Sequence, residues 1–182
     1  MIVLETERLT LRGYAEADLA DYHALMSDRK NMYFLEDIVT DTLEESRESL
    51  TNAIRVNESG RARRFCIALR EHGRLIGGVG YEIASETPAG KIAGPMGWFI
   101  KPEFQNKGYI TEAAGRVIEF AFVEDGCVRI TTGCFKENIP TQRVMAKVGF
   151  RKEAEKPEAV WHDGRMRDRL EFAINRNEYI RG

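Results

Sequence analysis

Met96-Gly97-Trp98-Phe99-Ile100 is stopped by Pro102 and followed by Phe104-Gln105-Asn106-Lys107-Gly108-Tyr109. Ala113, Ala114, Val117, Ile118, Ala121 and Phe122 then recur at helical spacing. The apolar run reads as a strand and the periodic stretch as an amphipathic helix ended by Gly126. Val128 to Phe135 reads as another strand, and Asn138-Ile139-Pro140 opens a short helix that Gly149 stops. Strand, helix and strand in succession predict a right-handed parallel crossover. The segment 105–109 falls where a strand hands over to a helix N-terminus. Unpaired backbone N–H groups and the helix dipole favour a phosphate there. Gly108 leaves room for a ligand and for a positive φ. The same residues also read as a plain strand-to-helix turn. They are neither a P-loop, since no Gly-Lys-Ser/Thr follows, nor a GxGxxG fingerprint.

Outward from this segment, Leu9 and Leu11 alternate as a short strand. Asp18 opens a helix carrying Leu19, Tyr22, Leu25 and Met26 on one face. Thr42 is placed to cap a second helix with Leu43, Leu50, Ala53 and Ile54. Phe65 to Leu69 and Leu75 to Ile83 flank the turn Glu71-His72-Gly73 as a hairpin, and Ser85 to Gly90 reads as a loop. Within that hairpin Gly77-Gly78-Val79-Gly80 marks a bulge or close backbone packing. Val160-Trp161, a turn at His162-Asp163-Gly164, and Leu170 to Ile174 form a closing hairpin. No repeat or linker interrupts the chain, which reads as one domain, 1–182.

Hydrophobic residues make up 43% and charged residues 31% of the 182, a globular balance. No apolar run approaches the ~18 residues of a membrane span, and the N-terminus lacks a signal core. Cys66, Cys127 and Cys134 form no CxxC pair, and their odd number suits a reducing, cytoplasmic setting. His23, His72 and His162 show no metal-ligand spacing. A net charge of −2 offers no field for nucleic acid. The charge is uneven, however. Residues 1–58 hold 13 acidic against 6 basic side chains, and residues 129–152 hold 6 basic against Glu137 alone. An acidic lobe attracts cations and a basic one suits an anionic cofactor, although such blocks also form ordinary solvated faces.

Gln105-Asn106-Lys107-Gly108-Tyr109 with Thr111-Glu112-Ala113, then Asn138-Ile139-Pro140-Thr141-Gln142-Arg143-Val144 through Gly149-Phe150, resemble the two cofactor motifs of the GCN5-related N-acetyltransferases (GNAT). Glu5-Thr6-Glu7-Arg8-Leu9-Thr10-Leu11-Arg12 and the tail from Trp161 to Asp168 are similar to the branch that acetylates N-terminal amines of ribosomal proteins. The resemblance runs nearly end to end. It implies an α/β fold of the α+β type: a mixed twisted sheet, helices on both faces, and a splay between strands four and five. Acetyl-CoA is the implied donor. Phe99 and Ile100 would pair with its pantetheine arm as an added strand does. Gln105, Asn106, Lys107, Gly108, Tyr109 and Ile110 would hold the pyrophosphate, Asn138 the pantetheine amides, and Arg143 or Lys147 phosphates. Ile110 stands where the family has Gly or Ala and is expected to narrow the approach of a phosphate.

Direct transfer needs a neutral amine, a positioned thioester and a proton for the leaving thiolate. Thr141 stands where the resembling branch has the Ser read as general acid, and it equally suits a helix cap. Glu82 is the first candidate base and His162 the second. Cys134 reads as a small apolar residue rather than a nucleophile. Glu36, Asp37 and Asp41 lie between the two helices that in the family wall the acceptor cleft. The expected partner is an amine-bearing acceptor, a peptide N-terminus or a small molecule, with no nucleic acid or membrane and a homodimer left open. A non-catalytic acyl-CoA-binding domain is the alternative of another class.

Overall fold

The structure is a computed structural model that describes residues 2–179, excepting the side chain of Glu36. Eight strands form one mixed sheet: β1 (Val3–Glu5), β2 (Leu9–Arg12), β3 (Ala62–Leu69), β4 (Leu75–Thr87), β5 (Gly90–Ile100), β6 (Cys127–Phe135), β7 (Arg151–His162) and β8 (Arg165–Asn175). Their order is β1-β2-β3-β4-β5-β6-β8-β7. The helices are α1 (Leu19–Met26), α2 (Leu43–Glu58), α3 (Tyr109–Val123), α4 (Ile139–Lys147) and α5 (Arg176–Tyr179). Among the described residues no helix is long and apolar enough to cross a membrane.

The crossover expected from Met96 to Phe135 is present, with β5 and β6 parallel. The strand boundaries on either side of the β4–β5 turn differ from the sequence reading. The loop foreseen at Ser85 to Gly90 shrinks to a turn at 88–89, so β5 begins at Gly90 rather than near Met96. Gly90 adopts φ +138, and the Thr87 hydroxyl donates to its carbonyl at 2.8 Å, which closes a turn too tight for the longer loop. The extra strand β1 makes the strands expected to splay the fifth and sixth.

The chain divides into two compact units, residues 1–80 with 98–117, and residues 81–97 with 118–182. In the first, Tyr22, Leu25 and Met26 of α1 and Leu50 and Ala53 of α2 pack with Tyr14, Met32, Cys66, Ala68 and Leu75. Each buried Leu or Met among them contributes about 1.5–3 kcal/mol by leaving water. Thr42 caps α2 as its sequence announces, accepting from the Glu45 amide, and the Glu45 carboxylate accepts in return from the Thr42 amide. The glycines of β4 permit close packing. A Cβ on Gly77 would meet the Phe99 carbonyl oxygen at 2.4 Å, and one on Gly78 the Tyr14 hydroxyl at 2.3 Å.

In the second unit Ile118, Ala121, Phe122, Ile130, Met145, Phe150, Leu170 and Ile174 are buried. Lys91 and Tyr81 both donate to Asp125, at 2.9 and 2.7 Å, which ties the start of β5 to the turn before β6. The closing hairpin is much longer than its apolar residues announce, because β7 is almost wholly exposed and is shifted in register twice against β8.

Candidate functional site

In the first unit, residues 105–110 join a short 3-10 turn (Pro102–Phe104) to α3. Asn106 and Gly108 take positive φ, +59 and +82. Among the described residues, no protein group accepts a hydrogen bond from the backbone amides of residues 107–111; the first donation is from Glu112 to the Gly108 carbonyl, at 3.0 Å. Successive donors of this kind at a helix start form an anion-binding concavity. The segment therefore fits the diphosphate of a nucleotide cofactor. Ile110 does not narrow it. Its side chain is only 9% exposed, turned inward with Ala113, Ala114 and Val117 of α3.

Two residues outside the loop fix its ends, and neither was read from the sequence as a site residue. Asn31 donates to the Ile100 carbonyl at 3.0 Å and accepts from the Gln105 side chain at 2.7 Å. Cofactor pairing with that carbonyl must compete with Asn31. Arg8 donates to the Lys107 carbonyl at 3.0 Å, covers the Tyr109 ring at 4.4 Å and pairs with Glu112 at 2.6 Å. Glu112 also accepts from the Thr6 hydroxyl at 2.6 Å and the Arg8 amide at 3.0 Å. Partial burial works to raise the Glu112 pKa, but these hydrogen bonds and the guanidinium together hold it below the usual carboxylate value. Tyr109 thus belongs to the loop's scaffold, its face used by Arg8. Phe99 packs against Gly78 and the first unit's core.

The second unit holds Glu82, Asn138, Thr141 and Arg143. Here β5 and β6 pair only from Lys91 to Ala93; farther on, the Thr132 hydroxyl donates to the Met96 carbonyl at 2.6 Å. A side chain bridges where a continuing ladder would place a backbone amide. Asn138, not Thr141, is the N-cap of α4, since its side chain accepts from the Thr141 amide at 3.3 Å. The Thr141 hydroxyl, half-buried, makes no hydrogen bond among the described residues. Glu82 is exposed on β4 just after the buried Tyr81.

The basic stretch is largely compensated within the unit. Arg129 pairs with Glu153, Lys136 with Glu155 and Asp168, Arg151 with Glu178, and Lys152 with Glu155. Arg143 and Lys147 alone of the six have no ion pair among the described residues, and they lie four apart on exposed α4. The acidic lobe keeps most of its excess charge: Asp18 pairs with Arg12 and Asp41 with Arg29 at 2.6 Å inside it, and Asp21 alone of these is held from outside it, by Lys101 and Arg74. Asp37 stays exposed without an ion pair among the described residues, and the Glu36 side chain lies outside them.

His162 does not occupy the hairpin turn, which is Asp163-Gly164, with φ +49 and +75. It ends β7, 2% exposed, its ring 4.6 Å from that of Phe135. Cys134 is buried, and burial pushes its thiol up to about 11. A thiol so raised is protonated at neutral pH and a poor nucleophile. Among the described residues no three His, Cys, Asp or Glu side chains gather as a metal ligand set.

The model of the acetyltransferase (GNAT) domain matches residues 8–151. An uncharacterized N-acetyltransferase, YnaD, of Bacillus subtilis (strain 168) is 32% identical over 177 residues, 97% of this chain and 98% of its own. The ribosomal-protein-S5-alanine acetyltransferase of Vibrio fischeri superposes with a TM-score of 0.82 at 20% identity, over 98% of this chain and 99% of that one. The spermidine N-acetyltransferase of Vibrio cholerae, solved with CoA and spermine, superposes at 0.81 with 23% identity, over 96% and 99%.

Proposed function

Because the chain belongs to the GNAT family of acetyltransferases and uses acetyl-CoA as its acetyl donor, we propose that its acceptor is the α-amine of a protein or peptide N-terminus. The observation that carries the donor side is the run of amides from residue 107 to residue 111, at the start of α3, that find no acceptor among the described residues. In this reading residues 105–110 hold the pyrophosphate. Arg143 and Lys147 meet further cofactor phosphates, and Asn138 turns to the pantetheine the amide nitrogen that its cap does not use. The neutral amine attacks the thioester carbonyl, the C–S bond breaks, and the departing thiolate takes the Thr141 hydroxyl proton. Thr141 regains a proton from solvent or from the acylated nitrogen as that nitrogen is deprotonated.

The acceptor side rests on two arguments. The first candidate base, Glu82, is exposed on β4 and in this reading hands the amine's proton to water. An α-amine of pKa ~8 is about one-tenth neutral at pH 7, whereas a lysine at ~10.4 is neutral in roughly one of a few thousand molecules. A weakly basic site therefore suits the α-amine. Secondly, residues 1–58 keep a balance of 6 basic against 13 acidic side chains, which draws in a cationic end. The same acidity favours a polyamine as the second reading, and a spermidine N-acetyltransferase shares this fold.

Steady-state turnover of acetyl-CoA against a panel settles the acceptor. Free-amine peptides, the same peptides blocked at the N-terminus, and spermidine serve as acceptors. Turnover that vanishes on blocking the N-terminus supports the proposal. Equal turnover of blocked, lysine-containing peptides overturns it, and turnover confined to spermidine replaces it with the second reading.

A further inference from the structure

We propose that Arg8 belongs to the pyrophosphate site itself: its guanidinium sets the shape of the loop and presents its remaining donors to the cofactor's phosphates. This inference rests on the reading that residues 105–110 hold the pyrophosphate.

The segment around Arg8 is placed by its own pattern. Thr6 and Leu9 exchange hydrogen bonds, the Thr6 amide to the Leu9 carbonyl at 3.0 Å and the Leu9 amide to the Thr6 hydroxyl at 3.0 Å. The bend they make directs the Arg8 amide and side chain at the first turn of α3. A guanidinium has five N–H donors in a planar fork. Two are spent in hydrogen bonds, Nε on the Glu112 carboxylate at 2.7 Å and one Nη1 hydrogen on the Lys107 carbonyl at 3.0 Å, while Nη2 lies in ion-pair contact with the same carboxylate at 2.6 Å. The donors left over on the two terminal nitrogens belong to a side chain that is 41% exposed. Nη2 lies 3.4 Å from where a Cβ on Gly108 would sit. That space is the one a phosphate enters to reach the amides of residues 107–111.

The ion pair has a further consequence. Glu112 is in the first turn of α3, where its negative charge competes with a phosphate for the helix dipole and the open amides. Arg8 cancels that charge and locks the carboxylate away from the loop. Lysine replaces it only in part, because one ammonium cannot serve Glu112, the Lys107 carbonyl and a phosphate in fixed directions.

The test compares acetyl-CoA with S-acetyl-pantetheine, a donor that lacks the pyrophosphate, in wild type, Arg8→Ala, Arg8→Lys and Gly108→Val. Arg8→Ala is expected to raise KM for acetyl-CoA about tenfold to a hundredfold, the worth of charged hydrogen bonds. Its kcat, its acceptor KM and its KM for acetyl-pantetheine should stay near wild type. Arg8→Lys should recover part of the loss. Arg8→Ala also leaves Glu112 without its counter-ion, so Arg8→Ala/Glu112→Gln is measured beside it and should keep the raised KM. An unchanged KM for acetyl-CoA, an equal loss with both donors, or full recovery in the double variant overturns the role of Arg8. Gly108→Val that stays folded and keeps its KM for acetyl-CoA overturns the underlying loop assignment instead, so the two failures are distinct.

Discussion

The side-chain oxygen of Asn138 accepts from the backbone amide of Thr141 at 3.3 Å, so the first turn of α4 is capped by the asparagine and the threonine hydroxyl is spared. Thr141 is therefore expected to matter for chemistry and Asn138 for both structure and cofactor. Thr141→Val should lower kcat about a hundredfold, a usual worth for a general acid, and move the melting temperature by no more than about 2 °C. Thr141→Ser should restore turnover. Asn138→Ala should cost about 1 kcal/mol of stability through the lost cap and raise KM for acetyl-CoA. A Thr141→Val enzyme with wild-type kcat removes the hydroxyl from the reaction.

Ile110 and Gly108 are two residues apart and should answer mutation oppositely. Ile110→Ala removes a buried side chain and is expected to cost about 2–4 kcal/mol, leaving CoA affinity unchanged well below the melting temperature. Gly108→Val sets a branched side chain at φ +82 beside the open amides and should cut CoA affinity more than tenfold. Calorimetric titration with CoA, alongside thermal melts, measures both. Tighter CoA binding by Ile110→Ala would show that its side chain faces the ligand.

Arg143 and Lys147 are the cations of the 129–152 stretch without ion pairs among the described residues. Arg143→Ala should weaken CoA binding and flatten its salt dependence. Lys136→Ala should leave CoA affinity within about twofold, since an exposed ion pair is worth little. Titrations at two ionic strengths separate the cases, and equal effects of both variants argue against a phosphate role for α4.

The order of elements was legible because each announces itself locally. Met96–Ile100 ends at a proline, α3 carries an unbroken apolar face, and Asn138-Ile139-Pro140 begins a helix by its own chemistry. β7 was half missed because its exposed residues leave no alternation to read, its place being fixed by pairing with β8. Site residues showed the same divide. Gly108 could be read from one turn, but Arg8 acquires its meaning from Glu112 and Lys107, 104 and 99 residues away. The basic block misled for the related reason that Arg129, Lys136 and Arg151 are paired with carboxylates 24, 19 and 27 residues away.

Burial keeps the Cys66 thiol at about 12 and the Cys134 thiol at about 11. Both values are raised, so the protonated thiols' stabilising contribution is complete below the ordinary thiol pKa of ~8.5. It is lost as pH rises toward these values. Native protein at pH 8 should alkylate at these cysteines at least tenfold more slowly than unfolded protein, as mass spectrometry of iodoacetamide-treated samples can count. Cys134→Ala should keep measurable turnover, because an amine that attacks the thioester directly needs no acyl-cysteine. A trapped acetyl group on Cys134 that moves to the amine at the turnover rate would overturn direct transfer.

Arg29 grips Asp41 through Nε and one terminal nitrogen, Nη2, at 2.6–3.0 Å, so the acidic segment between α1 and α2 presents less charge than its sequence counts. Asp37 keeps its charge, exposed, on the 3-10 turn Tyr33–Ile38. If this segment borders the acceptor, as the family resemblance implies, Asp37→Asn should raise KM for a cationic acceptor. Arg29→Gln should lower it, by releasing the Asp41 carboxylate, and Asp41→Asn should raise it, by releasing the Arg29 cation. Exposed charges act weakly, so each change is expected to be about two- to fivefold. The shifts should fade as salt brings the screening length below about 10 Å. KM for acetyl-CoA should hold constant throughout, which separates an acceptor effect from damage to the cofactor loop. Opposite signs for Arg29→Gln and Asp41→Asn are the decisive feature, because loss of their pairing alone would shift both variants the same way. Shifts of the same sign, or none, would remove this segment from acceptor recognition.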